Sequence, residues 1–284
     1  MTLVDTHCHL FDERLARDLE GVVGRALEAG VTALVVPGVT LETSREAVAL
    51  SERFDCVWAG VGIHPEAVER PLTDRDLAAL EALGEHPRVV AIGEVGLDRS
   101  PGRPELALQE QVFRAQVELA RSMGLALLVH SRDAGGRTLA LLEELVQAEG
   151  AIEARPAGSP HTVSPHVGSK PAGILHAWAG APELARAFGR LGFAFGVAGV
   201  VCRKAAHRVR ARLAALPLGS LVLETDAPYI GTAVRPRGQV EPAHLPEVRD
   251  ALGELLGLEP SRVEEATTAK ARALLGLAEG LRPC

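Results

Sequence analysis

Eight short apolar runs alternate along the chain with longer stretches of helical period. The runs lie at residues 3–7, 31–38, 57–64, 89–96, 125–132, 172–180, 193–199 and 220–228. Between them, as in residues 13–30 and 104–124, Leu, Val and Ala recur every three or four positions opposite Arg and Glu, which predicts amphipathic helices. Nearly continuous apolar strands are typical of a parallel sheet covered by helices. Eight such units predict an α/β fold, a single (β/α)8 or TIM barrel.

A doubly wound open sheet is the alternative arrangement of the same units. No low-complexity block or linker interrupts the 284 residues, so one domain spanning residues 1–284 is expected. Residues 153–173 are rich in Pro, Gly, Ser and His and are expected to be a loop insertion before the sixth strand. Such a loop would lie at the amino-terminal face of a barrel, so His161 and His166 are expected to be exposed rather than metal ligands.

Composition excludes several classes of protein. No apolar run approaches the ~18 residues that cross a bilayer, and no secretory signal is visible, so a cytoplasmic protein without membrane association is expected. The four cysteines are far apart, which argues against a disulfide framework and a zinc ribbon. A formal charge of −7 disfavours a broad basic surface for duplex binding, although a local phosphate site stays compatible with it.

Polar side chains that can bind metal ions stand at or near the ends of the predicted strands. They are His7, His9, His64, Glu94, His130, His176, Glu224 and Asp226. The carboxyl ends of barrel strands meet on one face, where the catalytic groups of such enzymes lie, so these side chains are expected to converge. His7 and His9, two positions apart at a strand end, would point to the same side. The pattern therefore predicts a metal site.

The donor types and their number constrain the metal. Imidazole nitrogens with carboxylate oxygens favour Zn²⁺, Mn²⁺ or Ni²⁺ over a site built for Mg²⁺ alone. The donors exceed the needs of one tetrahedral ion, so two divalent ions per subunit are expected, sharing a bridging ligand. No strand end carries a lysine that could be carbamylated, which leaves a carboxylate, and Glu94 in the middle of the chain is the best candidate.

Six short motifs between residues 6 and 229 occur in an order that is specific as a set. They are THCHLF, GIHPE, AIGEVGLD, VHSRDA, HAWAG and ETDAPY, and EPAHL follows at residues 241–245. This series resembles the TatD family of metal-dependent hydrolases and spans most of the chain. The resemblance implies a TIM barrel with a dinuclear metal site, and deoxyribonuclease activity.

Carried over by position, the resemblance also implies roles for individual residues. The implied ligands are His7, His9 and Asp226 for the first metal, His130 and His176 for the second, and Glu94 as the bridge. His64 and Arg132 match positions of substrate-contacting polar groups in the family. Glu224 would orient a metal ligand or a water molecule.

The expected reaction is hydrolysis of DNA phosphodiester bonds from a strand end by a metal-activated water, with single-stranded or frayed DNA as substrate. Asp226 is expected to accept the proton of the water while Glu94 holds the ions apart. Arg132 and Lys204 would hold a phosphate oxygen. Two alternatives stay open. One is an amidohydrolase acting on a cyclic amide, lactone or ester, and the other is a non-catalytic metal-binding barrel that serves as a scaffold.

Overall fold

A computed structural model describes residues 2–147 and 172–277 of the chain. Within them, eight strands form one sheet in which each strand pairs with the next along the chain. The strands are Leu3–Asp5 (β1), Val31–Pro37 (β2), Val57–Val61 (β3), Val89–Asp98 (β4), Ala126–Arg132 (β5), Gly173–Leu175 (β6), Ala194–Val197 (β7) and Leu221–Leu223 (β8). All seven pairings are parallel.

Hydrogen bonds just beyond β1 and β8 join the two ends of the sheet. Thr6 N donates to Leu223 O at 3.1 Å, and Cys8 forms a parallel bridge with Ala227. The sheet therefore closes on itself, which confirms the predicted (β/α)8 barrel. The alternative of a doubly wound open sheet is wrong, because such a sheet keeps two unpaired edges.

Helices follow the strands and cover the barrel. They are Glu13–Ala16 (α1), Leu19–Glu28 (α2), Leu41–Arg53 (α3), Asp74–Gly84 (α4), Leu106–Met123 (α5), Gly135–Gln147 (α6), Pro182–Arg190 (α7), His207–Ala214 (α8), Leu245–Leu256 (α9) and Pro260–Leu275 (α10). The predicted helical stretch at residues 13–30 is two helices. The break falls at Asp18, whose backbone leaves the helical region with φ −140° and ψ 52°.

One cluster of buried apolar side chains takes members from all eight strands and therefore fills the inside of the barrel. It includes Val4, Val35, Trp58, Val90, Leu128, Ile174, Ala194 and Val222. Ala271, Leu274 and Leu275 of α10 join this cluster, and Thr268 Oγ1 donates to Thr2 O at 2.8 Å beside the start of β1. Helix α10 thus closes the amino-terminal end of the barrel.

The interior changes from apolar to polar along the strands. Side chains two positions apart lie on the same side of a strand. Two positions beyond Leu128, Ile174 and Val222 stand His130, His176 and Glu224. The apolar lower part of the barrel therefore leads to a polar layer at the carboxyl end.

Most of the predicted insertion at residues 153–173 falls where the structure describes no residues. Residues 153–171 of the predicted insertion, with His161 and His166, lie outside the described residues, and Gly173 begins β6. Among the residues that the structure describes, no helix is long and apolar enough to cross a bilayer.

Candidate metal centre

Side chains from both ends of the sheet meet at the carboxyl end of the barrel. His7 Nε2 lies 3.2 Å from His9 Nε2, so the two rings of the H-x-H motif reach the same point. His9 Nε2 lies 3.2 Å from Asp226 Oδ1. Residues separated by more than 200 positions in sequence therefore share one buried cluster, because β1 and β8 are neighbours in the closed barrel.

Glu94 stands between two groups of imidazoles and turns one oxygen towards each. Its Oε2 lies 3.2 Å from His7 Nε2. Its Oε1 lies 3.0 Å from His130 Nδ1 and 3.5 Å from His64 Nε2. His176 Nε2 lies 3.8 Å from the same Oε1 atom. The two oxygens of this carboxylate thus face different imidazoles.

Three groups of potential ligand atoms each fall within 4.8 Å of one another. They are His7, His176 and Asp226; His7, His9 and Glu94; and His64, Glu94 and His130. Every residue predicted to bind metal occurs in at least one group. His64, predicted to contact substrate, lies among them as well.

The backbone at the carboxyl ends of β6 and β8 takes an unusual conformation. Asp226 has φ +49° and Ala177, directly after His176, has φ +44°, in the left-handed region that costs residues other than glycine roughly 1–2 kcal/mol. Hydrogen bonds offset this cost, since Asp226 N donates to His7 O at 2.8 Å. Ala177 N donates to Glu224 Oε1 at 2.6 Å. Such conformations cluster at functional sites, where the surrounding structure holds them in place.

Glu224 holds the ring of His176. Its Oε1 lies 3.0 Å from His176 Nδ1, which leaves Nε2 of the same ring facing Glu94. The carboxylate is fully buried, and its space depends on Gly196, because a Cβ atom there would lie 2.2 Å from Glu224 Oε2. This is the geometry of a carboxylate that orients a metal-binding histidine.

Asp98 holds His130 in a comparable way and was given no role by the sequence reasoning. Its Oδ2 lies 3.2 Å from His130 Nε2, and its Oδ1 accepts a 2.7 Å hydrogen bond from Ser100 N. Strand β4 runs to Asp98, two residues beyond its predicted end. Asp98 stands four positions after Glu94 on the same strand face, and this spacing was the signal that could have found it.

The charges within the cluster support one another. Burial raises the pKa of Glu94, but His64, His7 and His176 outweigh burial and hold this pKa well below its usual value. Burial likewise raises the pKa of Asp226, and His176 leads the imidazoles that bring it below its usual value. Burial lowers the pKa of His7. At neutral pH the two carboxylates are therefore ionised and His7 is neutral, the forms in which these groups bind metal ions.

Burial lowers the pKa of His176, but Glu224 and Asp226 outweigh burial and raise this pKa to about 10. Asp98 and Glu94 raise the pKa of His130 in the same way, so a metal ion that binds these two rings would release their protons.

The donor set fits divalent cations. His7 Nδ1 is buried and has no hydrogen-bond partner among the described residues. The other nitrogen of the same ring faces the nitrogen of His9 and the carboxylate of Glu94, each at 3.2 Å. Nitrogen and oxygen lone pairs that converge in a buried space suit a cation between them.

A cavity of about 510 Å³ opens onto this cluster. Its wall includes the predicted substrate contacts His64 and Arg132, along with Phe11, Arg103 and Arg237. The volume lies within the range of pockets that hold small ligands. A substrate group in this cavity would therefore touch the cluster directly.

Lys204, the third predicted substrate contact, is not among the described residues that line the cavity. Its Nζ lies 3.2 Å from Glu254 Oε1, and 79% of its side chain is exposed. Its position at the surface gives no support to the predicted phosphate contact, because the side chain is engaged with helix α9 instead.

Comparison with known proteins assigns the chain to a family. Residues 4–276 match the family described as TatD related DNase. The chain belongs to the TatD family. It is 36% identical over 284 residues to an uncharacterized metal-dependent hydrolase, TatD, of Mycobacterium tuberculosis, covering 97% of this chain and 98% of the relative. It is 31% identical to the 3′–5′ ssDNA/RNA exonuclease TatD of Cronobacter sakazakii, over 96% of this chain and 97% of the relative.

The fold is shared with a solved structure of the TatD family. The TatD homolog YjjV of Escherichia coli K12 superposes with a TM-score of 0.84 at 28% sequence identity, covering 97% of this chain and 98% of that one. This likeness extends over the whole barrel, including the strand ends that carry the cluster.

Tyr229, in the ETDAPY motif of this TatD family chain, also received no role from the sequence reasoning. Its hydroxyl donates to Asp12 Oδ2 at 2.8 Å, and its ring lies 5.0 Å from that of His9 between centroids. Tyr229 lines the cavity. Its place directly after the DAP segment was a signal, but its contact with Asp12 depends on the barrel bringing residues 12 and 229 together.

Proposed function

We propose that this protein is a divalent-metal-dependent deoxyribonuclease that hydrolyses phosphodiester bonds from the end of a single-stranded or frayed DNA strand. The observation that carries the proposal is the Glu94 carboxylate, whose two oxygens face different imidazoles. Membership of a family described as TatD related DNase supports the substrate class. The relative from Cronobacter sakazakii, named a 3′–5′ ssDNA/RNA exonuclease, supports attack on single strands and adds RNA as a candidate substrate.

The proposal includes two divalent ions per subunit. His7, His9 and Asp226 would hold one ion, His130 and His176 the other, and Glu94 would bind both. The nitrogen-rich donor set favours Zn²⁺, Mn²⁺ or Ni²⁺, and Mg²⁺ is a further candidate. When bound, such ions lower the pKa of a water molecule and neutralise charge on a phosphoryl oxygen.

The side chains of the protein supply the remaining steps. Asp226 is ionised, since the imidazoles beside it hold its pKa below the usual value, and it accepts the proton of the attacking water. As the water oxygen bonds to phosphorus, the bond from phosphorus to the leaving oxygen of the sugar breaks, and this oxygen takes up a proton from solvent to become a hydroxyl group. Arg132 at the cavity wall holds a non-bridging oxygen of a phosphate in the bound strand. Glu224 and Asp98 keep His176 and His130 in place throughout.

Metal removal and a substrate panel test the proposal. Chelation is expected to abolish hydrolysis of a single-stranded oligonucleotide, and added Mn²⁺ to restore it. Full activity in protein shown by elemental analysis to be free of metal would contradict the mechanism. The panel compares the oligonucleotide with an aryl phosphodiester and a lactone.

The panel also separates the alternatives. Preference for the lactone would favour an amidohydrolase-type enzyme, since the metal cluster alone suits phosphoryl and carbonyl groups equally. A metal-replete protein inert towards all three would favour a binding scaffold. A cytoplasmic location belongs to the proposal too, and cell fractionation tests it.

A further inference from the structure

Among the described residues, three arginines line the cavity, and they differ in what neutralises them. Arg103 pairs with Glu66, and its Nε lies 3.3 Å from Asp98 Oδ2. The guanidinium groups of Arg132 and Arg237 form no hydrogen bond or ion pair within residues 2–147 and 172–277. A guanidinium at a cavity wall that the protein does not itself neutralise is available to an anion.

The two available arginines stand beside different parts of the metal centre. Arg132 follows His130 by two positions on β5, so both side chains leave the same side of the strand. The guanidinium carbon of Arg237 lies 5.9 Å from the centroid of the Tyr229 ring, which in turn lies 5.0 Å from the ring of His9. Arg132 thus neighbours the second implied metal position and Arg237 the first.

The ring under Arg237 is anchored. The Tyr229 hydroxyl donates to Asp12 Oδ2 at 2.8 Å, and Arg14 binds both oxygens of the same carboxylate at 2.8 Å. The Asp12 carboxylate therefore neutralises Arg14 and holds the Tyr229 ring in place through its hydroxyl. The guanidinium of Arg237 therefore lies over an anchored aromatic ring, and Arg237 also lines the cavity.

We propose that Arg132 and Arg237 bind the phosphates that flank the scissile phosphate, one on each side. The inference rests on the proposed function. With the scissile phosphate at the metal centre, each guanidinium can take two oxygens of a neighbouring phosphate in parallel. At a strand end that carries a terminal phosphate both contacts are filled, at an end without one only the contact within the strand is filled, and an isolated phosphodiester fills neither. A chain of net charge −7 thus binds nucleic acid at two local points rather than along a basic surface.

Three short substrates test the two contacts separately. A dinucleoside monophosphate carries only the scissile phosphate, and adding a 5′ or a 3′ terminal phosphate supplies one flanking phosphate at a time. Each addition is expected to raise kcat/KM of the metal-loaded wild type about tenfold, in line with a charge-assisted hydrogen bond. Arg132→Gln should abolish the gain from one terminal phosphate and Arg237→Gln the gain from the other.

Arg235→Gln is the matched control. Arg235 precedes Arg237 by two positions in the same loop, but its Nε lies 3.2 Å from Glu247 Oε1. The substitution removes the same charge, and both gains are expected to persist. In a salt series with a longer single strand, Arg237→Gln should reduce the slope of log K against log[salt] by about 1, and Arg235→Gln should not. Elemental analysis tests whether each variant binds as much metal as the wild type.

The outcomes separate this inference from the proposed function. Hydrolysis of the dinucleoside monophosphate without a gain from either terminal phosphate would overturn the inference alone. Loss of both gains in each arginine variant, or in Arg235→Gln, would overturn it too, because the effect would then be general electrostatics. A metal-replete wild type that cleaves a lactone and none of the three nucleotides would overturn the proposed function together with the inference.

Discussion

The two sides of the metal centre are held by different means. On the side formed by the ends of β1 and β8, backbone hydrogen bonds fix the ligands, since Asp226 N donates to His7 O and His9 N to Ala227 O, both at 2.8 Å. The side chains of His7 and His9 are 1% and 5% exposed. This side is part of the closure of the barrel itself.

On the side formed by β4 and β5, a neighbouring side chain fixes the ligand. His130 is held between the carboxylates of Glu94 and Asp98, and 15% of its side chain is exposed at the cavity. Backbone closure holds one side rigidly, whereas the other depends on side chains that meet the substrate. We expect the ion beside His130 to exchange faster than the ion beside His9.

The largest expected effect is that of Asp226→Asn, a change on the side formed by the ends of β1 and β8. The amide keeps the shape but accepts no proton, so kcat should fall about 10²- to 10⁴-fold, the usual contribution of a general base. Measuring kcat and metal content on the same preparation separates proton transfer from metal loss. A kcat near that of the wild type with two ions bound would refute the role of Asp226.

Chelator kinetics test the difference between the two sides directly. Metal release from the wild type is expected in two phases, one ion leaving faster than the other. His130→Ala should lack the fast phase and His9→Ala the slow phase, with release followed by a colorimetric indicator. A single phase that removes both ions together would contradict the expected difference in exchange rate between the two sides.

Asp98→Asn should have a smaller effect, confined to the side formed by β4 and β5. Losing a carboxylate that orients a metal-binding histidine typically costs 10- to 100-fold in metal affinity or activity. We expect the fast phase to accelerate by that factor while the slow phase stays as in the wild type. Glu224→Gln provides the parallel case for His176. Equal acceleration of both phases by Asp98→Asn would mean that this carboxylate supports the centre as a whole.

The smallest effect is expected from Asp76→Asn, remote from both sides. Hydrogen bonds from Arg70 and from Thr73, the N-cap of α4, hold the pKa of Asp76 below its usual value of 3.8. A carboxylate with a depressed pKa stabilises the fold above its unfolded-state pKa and loses that contribution as pH falls. The wild type should exceed the variant by about 1 kcal/mol in free energy of unfolding at pH 7, with the gap narrowing below about pH 4.

Urea unfolding at several pH values measures this difference. Metal content and kcat of Asp76→Asn should match the wild type, which makes it a reference for the changes at the centre. A stability gap that widens as pH falls would contradict the sign of the argument.

Much of the fold and of the cluster could be predicted from the sequence. Periodicity separates strands from helices because apolar residues must face the core, and eight parallel units of this length close into a barrel. The strand ends then had to meet on one face. The spacing of His7 and His9, and the place of Glu94 in the fourth of the eight predicted strands, were therefore enough to anticipate their convergence.

The partners of charged side chains could not be predicted in the same way. The sequence predicted a phosphate contact for Arg132 and Lys204 and assigned no role to Arg103 or Arg237. Only the tertiary structure separated these cations, because it brings Glu66 and Asp98 to Arg103 and Glu254 to Lys204. Periodic burial depends on near neighbours along the chain, whereas neutralising a charge depends on where loops distant in sequence come to lie.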